Sequence, residues 1–289
     1  MLTTFLLGVI LGGTYALAAL GLTLQYGIAR VMNLAYGEVV VAACFLAFVL
    51  LSSAGIGPVL GLVIIAPAGF AVSWLLYGIV FRPLVRRADG HRARLEVDTI
   101  LVSFGLLFLI QGILLIAFGG NLFSYSFLNV PVNVFGVAIA ANRLLAFALA
   151  VVIGGTLYIG LSYTRWGTAM RAVANRPEFA ALVGIDVDRA ARLAFAVGGA
   201  LAATAGVVIS MYQTFSATGG VVFTMKALIV VIMGGVGNLA GALTAGLFLG
   251  LVETFVSAYI DPGLTIAAVY AIFLAVLLWR PSGLFGKPA

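Results

Sequence analysis

The chain has 289 residues, 64% of them hydrophobic and 8% charged, with 36 glycines and a net charge of +6. Soluble domains carry about 25% charged residues. This chain has too little charge to coat a water-facing surface and reads as an integral membrane protein. Its low charge and high hydrophobicity exclude disorder. A single cysteine, Cys44, and a single histidine, His91, exclude a disulfide scaffold and a structural zinc site.

Long charge-free stretches run 1–29, 39–81, 99–142, 144–164, 193–225, 227–252 and 262–279. Their unbroken apolar character fits helices rather than the alternating segments of a membrane barrel. The expected fold is an all-α polytopic transmembrane bundle with about 8 membrane segments. The expected cores are 2–25, 38–51, 58–81, 99–118, 143–162, 193–213, 227–250 and 264–279. The turn Ser52–Pro58 divides the second stretch into two passes. Segment 227–260 fits either one bent pass or a half-helix 226–235 followed by a pass 239–260, and the second version is preferred. The first run lacks the basic start and cleavage pattern of a signal peptide. The whole of 1–289 is expected to form a single transmembrane domain.

Orientation follows the Lys/Arg bias. Segments 82–98 and 164–192 hold ten arginines, and with Arg30, Arg280 and Lys287 they account for 13 of the 15 cations. Placing both loops in the cytoplasm leaves only Arg143 and Lys226 elsewhere and puts the N-terminus outside. A cytoplasmic tail then requires three membrane elements in 227–280, one of them re-entrant.

Much chemistry is absent. No G-x-x-x-x-G-K-[ST] loop occurs, since the only Gly-Lys is Gly286-Lys287 followed by Pro288. No catalytic or metal-binding residues are expected, and no cofactor. His91 reads as a solvated loop residue. No Lys, Arg or His is expected in mid-span, and the candidates for an ion relay reduce to Glu38 and Glu253. Glu253 reads better as a paired or snorkelling carboxylate. Trp166 and Trp279, near span ends, read as interface anchors.

The segment from Arg171 to Ile185 has the marks of a short helix. Asn175 is a candidate N-cap and Glu178 sits at the capping-box position. Pro177 suits the first turn, and Gly184 suits a left-handed terminus. Phe179, Leu182 and Val183 share one face. A two-turn helix is marginal alone. It either rests on the membrane or its own bundle, or docks in a groove on a soluble partner.

This segment resembles the coupling loop of ABC importer permeases, with Ala172, Ala174, Ala180 and Gly184 near the family's small-residue positions. Its first position is Arg171 rather than Glu. Asn33-Leu34-Ala35-Tyr36-Gly37-Glu38 is similar to the N-L-A-x-G-E element of branched-chain amino acid permeases. Met233–Ala242 is similar to their G-G-x-G-(N/S)-x-x-G-(A/P) element. Length, order and spacing fit the LivH type over nearly the whole chain. The resemblance implies a bacterial inner-membrane permease for branched-chain or similar hydrophobic amino acids. It implies as partners a second, LivM-like or identical permease subunit, two cytoplasmic ABC ATPases and an extracytoplasmic substrate-binding protein, with membrane lipid around them and no nucleic acid. ATP hydrolysis falls to the partners. A urea or short-amide permease shares the architecture, and an ATP-independent channel or secondary carrier is the reading from another class.

The implied coupling residues are Asn175, Glu178, Phe179, Leu182, Val183 and Gly184. The implied path residues are Asn33, Gly37, Glu38, Gly235, Gly237 and Asn238. For Asn33–Glu38 two readings fit the residues. Irregular backbone at membrane depth faces protein or a cavity, and discontinuous helices often form transport sites. The same residues also suit a plain turn with Glu38 at a helix N-terminus. Gly237-x-x-x-Gly241 and Gly246-x-x-x-Gly250 suit close helix packing first, and a path or dimer seam second. Gly-punctuated segments 33–51 and 226–250 are compatible with a duplicated fold, without a sequence match that establishes one.

Overall fold

The computed structural model describes residues 1–87, 92–134 and 136–286, without the side chains of 92–94. His91 and Lys287 therefore lie outside the described residues. Helices dominate: α1 (Leu2–Gly27), α2 (Tyr36–Ala54), α3 (Pro58–Leu76), α4 (Arg82–Arg87), α5 (Arg92–Phe118), α6 (Ala141–Tyr163), α7 (Arg165–Asn175), α8 (Pro177–Leu182), α9 (Val187–Ser210), α10 (Gly220–Gly234), α11 (Leu239–Tyr259) and α12 (Thr265–Trp279). A π-helical turn, Tyr77–Phe81, joins α3 to α4. One small antiparallel hairpin, β1 (Pro131–Val134) with β2 (Val137–Ala140), lies between α5 and α6.

Among the described residues eight helices are long and apolar enough to cross a membrane, with α3 and α4 counting as one continuous span and α12 lengthened to 18 residues by the 3-10 turn Pro262–Leu264 before it. The ninth, α10, has 15 residues. At 1.5 Å per residue that is about 22 Å, short of the roughly 30 Å hydrocarbon core. Segment 227–250 is thus not one pass but two elements, and the half-helix begins at Gly220 rather than 226. Its break falls at Gly235 and Gly237, both with left-handed φ (97° and 79°).

The core is built on α1 and α9, the two most buried spans. They run antiparallel: Gln25 donates to the Phe195 carbonyl at 3.1 Å, while Thr14 meets Tyr212 at 2.7 Å. Small residues allow backbones to touch, the interaction that lipid-embedded helices depend on. A Cβ on Gly12 would lie 2.6 Å from the Leu247 Cα, and one on Gly246 would lie 2.6 Å from the Ala16 Cα. Gly8, Gly12 and Ala16 therefore form a small-residue stripe on α1 that seats Gly246 and Gly250 of α11. Gly241 packs on Gly234 instead. Both expected glycine pairs make close backbone contacts, Gly237 on Gly27 and Gly241 on Gly234 in the one, Gly246 and Gly250 on α1 in the other. Outer spans such as α5 and α12 leave Ile116, Leu101, Leu274 and Leu278 exposed to the surroundings.

Two non-helical returns shape the interior. Residues 28–35 turn the chain back after α1, and residues 211–219 turn it back after α9. The helices that follow, α2 and α10, start against each other. The Gly37 N–H donates to Thr224 Oγ1 at 2.8 Å, and Thr224 Oγ1 donates to the Leu34 carbonyl at 3.1 Å.

The arginine-rich end is tied down by Arg82 and Arg86, which reach the same Asp188 oxygen at 2.6 and 3.5 Å. The π turn accompanies a second tie, in which Arg192 donates to the Trp74 carbonyl at 3.3 Å and stacks 4.1 Å over its ring. The C-terminal tail lies at this end too. Leu284 donates to the Met233 carbonyl at 2.8 Å, beside the Gly27–Gly237 contact at the foot of α1.

Candidate translocation path and coupling surface

The expected path residues fall into two groups. Asn33 is buried, its amide donating to Gln25 Oε1 at 3.0 Å while its oxygen accepts the Ala35 N–H at 3.1 Å. That pair shapes the return after α1 and starts α2. Gly37 and Glu38 occupy the first turn of α2 and press on the first turn of α10. Side chains are excluded there, since a Cβ on Gly37 would meet the Gly220 carbonyl and lie 2.7 Å from the Thr224 nitrogen. Glu38 is fully buried, and neither carboxylate oxygen has a hydrogen-bond partner among the described residues. It packs on Gly220, the one residue type that leaves room for it. An acid at a helix N-terminus is stabilised by the dipole. Here two N-termini converge on one, inside a membrane bundle, where a buried unpaired acid is costly.

Gly235, Gly237 and Asn238 form the second group, at the α10–α11 turn. Asn238 caps α11, its Oδ1 accepting the Gly241 N–H at 3.0 Å, and its amide donates to the Phe285 carbonyl at 2.9 Å. Gly235 is covered by the tail, with Gly286 2.8 Å from where its Cβ would be. This turn is a packed junction, and the structure does not bring it together with Glu38.

Lys226 corrects one expectation. It lies within α10, not beyond the spans, and donates to Glu253 at 2.7 and 3.0 Å and to the Tyr15 hydroxyl at 2.6 Å. Glu253 is accordingly a paired carboxylate. The partner was hard to find in the sequence because α10 and α11 turn back on each other only once the Gly235 break is recognised.

The helix expected over 175–184 is present as α8, shorter than expected at Pro177–Leu182, and a longer helix, α7, runs up to Asn175 before it. α7 ends at Asn175, whose amide donates to the Arg171 carbonyl at 3.0 Å. Arg176, not Asn175, occupies the N-cap of α8, and no side chain caps that helix, so the capping box with Glu178 does not form. The true cap signal is Thr164, which accepts the Gly167 N–H at 3.1 Å and starts α7. The terminus is as expected: Gly184 has φ +81°, Gly184 N–H reaches the Ala181 carbonyl and Ile185 N–H the Ala180 carbonyl, each at 3.1 Å. That is a Schellman ending.

Met170, Val173 and Ala180 are buried in the main core. The other face of α8 is bare: Phe179, Leu182 and Val183 are 56%, 81% and 75% exposed. They do not fold onto their own bundle. Beside them a recess of about 280 Å³ is lined by Arg30, Arg176, Glu178 and Phe179 among others.

Residues 4–279 match the family described as branched-chain amino acid transport system, permease component. The chain is 30% identical to the high-affinity branched-chain amino acid transport permease LivH of Escherichia coli K12, over 97% of this chain and 94% of that one. It is 28% identical to BraD of Pseudomonas aeruginosa over the same shares. With the probable LivH of Methanocaldococcus jannaschii it shares 29% over 96% of this chain and 90% of that one. No solved structure matches. Eight membrane-crossing helices and these relatives make it a multi-pass protein of the bacterial inner membrane. The chain belongs to the permease-component family of branched-chain amino acid transport systems.

Proposed function

We propose that residues 1–289 form one permease domain that passes branched-chain amino acids inward, powered by ABC ATPases bound at its arginine-rich end. That end is cytoplasmic in this reading, because it gathers most of the chain's cations. The observation that carries the proposal is α8. A six-residue helix with a bare apolar face is anchored through Ala180 to the core that holds α1 and α9. Docked on an ATPase surface, it passes a push to the bundle rather than to a loose loop. Asn175, Glu178, Phe179, Leu182, Val183 and Gly184 form this contact.

The path runs between the facing starts of α2 and α10, past Asn33, Gly37 and Glu38. Separation of those helices would give Glu38 a partner in the ammonium group of a passing amino acid. Gly235, Gly237 and Asn238 act as the joint on which α10 shifts. The chain contributes no bond chemistry; a second permease subunit, two ATPases and an external binding protein complete the transporter. The resulting cycle is an alternation between outward and inward access.

Uptake into vesicles holding the assembled complex tests this. Leucine, isoleucine and valine should accumulate only with ATP and binding protein, and urea should not. Equal uptake without any ATPase subunit overturns the reading.

A further inference from the structure

A cavity of about 490 Å³ opens at the end of the bundle opposite the arginine-rich segments. It lies between the N-terminal turns of α1, the α5–α6 connection and the α9–α10 connection. Its size falls in the roughly 300–1,000 Å³ range of small-molecule sites. Its rim is held by backbone pairing of Phe123 with Phe215, at 2.8 and 3.0 Å, and by packing of Phe45, Phe118 and Phe123. A second cavity, about 190 Å³, adjoins it and adds the side chains of Ile10 and Leu11. Leu7, Arg143, Tyr212 and Gln213 line both.

Among the described residues, Arg143 is the only charged one lining either cavity. It is half-buried and has no ion pair among the described residues. It sits in the first turn of α6, which carries no acidic residue. A helix N-terminus already bears partial positive charge, so a cation there is disfavoured unless an anion offsets it. No such anion comes from the walls. Burial pushes the Tyr212 phenol up and that of Tyr125 up to about 12, so both remain neutral hydroxyls. They bond to Thr14 and Ser210, each at 2.7 Å, which holds them in place. In the lining, the buried Asn142 donates to the Met211 carbonyl at 2.9 Å while its own oxygen has no partner among the described residues. A planar guanidinium suits bidentate capture of a carboxylate.

We infer that this recess is a receiving site for an apolar amino acid, with Arg143 on the α-carboxylate and the aliphatic side chain in the annex lined by Leu7, Ile10 and Leu11. The inference rests on the proposed function only for the choice of amino acid. The site is an intermediate stop, since a binding protein supplies substrate at high local concentration and tight binding here would slow the passage onward.

The test uses the full chain with Ser126→Cys, on the exposed cavity wall, and Cys44→Ala. The rate of maleimide labelling is read while ligands are added. L-Leucine and 4-methylpentanoate, which share a carboxylate and a branched tail, should slow labelling. Leucinol, which lacks the carboxylate, should need about tenfold more or fail, the loss expected for one charge-assisted hydrogen-bonded pair. Acetate, without the tail, should be weak. Arg143→Gln should abolish the difference between leucine and leucinol, and Arg143→Lys should keep part of it. Equal protection by leucinol in the Arg143 parent overturns the assignment, whatever Arg143→Gln does to the fold. So does undiminished protection in Arg143→Gln. Absence of leucine protection, with Arg143→Gln instead releasing the binding protein, would reassign the arginine to protein docking. Failure here with ATP-driven uptake intact refutes the site alone; loss of ATP dependence refutes the proposed function alone.

Discussion

Lys226 and Glu253 form an ion pair at 2.7 Å between half-helix α10 and span α11, with each side chain more than four-fifths buried. Tyr15 of α1 completes the contact, accepting from Lys226 through its hydroxyl and lying 4.7 Å beneath it by ring centroid. Three elements are thus joined at one cation. Removing one partner leaves a buried charge unpaired, at about 3–5 kcal/mol, whereas replacing both with apolar residues of similar volume is near neutral. Lys226→Met should therefore lower the melting temperature sharply, and Lys226→Met with Glu253→Met should recover most of it. If the double variant melts no higher than the single one, the pair is not the source of the loss.

Gly246 offers a cleaner packing test. Its missing Cβ faces the Ala16 backbone, whereas Gly155 has open space at the same position. Gly246→Leu should cost about 1–3 kcal/mol by overpacking. Gly155→Leu should cost almost nothing. Differential melting in detergent distinguishes them, and equal effects would mean that α1 and α11 do not meet there.

The coupling surface predicts a defect without loss of insertion. Phe179→Ala removes an exposed aromatic, and such an anchor in an interface is worth about 2 kcal/mol or more. Gly184→Val puts a Cβ on a left-handed residue at about 1–2 kcal/mol. The double variant should reach the membrane at normal level yet fail to retain ATPase subunits on purification. Normal retention with normal ATP-driven uptake would refute docking through α8.

Orientation is checked by single cysteines at opposite ends, Leu182→Cys and Thr214→Cys, both in a Cys44→Ala background. Both positions are exposed. An impermeant thiol reagent on intact cells should label Thr214→Cys and spare Leu182→Cys. The reverse pattern would invert the protein and place the Arg143 recess in the cytoplasm.

Glu38 separates stability from transport. Glu38→Gln removes a charge that has no partner in the described structure, so the melting temperature should hold or rise. Uptake should fall, because the amide cannot offset an ammonium group. A stable variant with unchanged uptake would make Glu38 a packing residue only.

The membrane class, the eight spans and the concentration of arginines at one end were legible in the sequence, because about 20 apolar residues are what a bilayer requires and cations resist crossing it. So was the left-handed ending at Gly184, since a glycine just past an apolar turn has few other uses. The extent of α10 was not: Gly220 looks like loop until its backbone is seen against Gly37. Asn175 and Thr164 are both good caps by type, and only the packing of Met170 and Val173 into the core shows that α7 extends to Asn175 and takes it as its end. The pairing of Lys226 with Glu253, the isolation of Glu38 and the lone charge of Arg143 likewise depend on which helices turn back on which. Hydrophobic periodicity reports how each segment meets lipid or water, whereas these relationships arise between segments distant in the chain, where only close backbone approach brings the groups within reach.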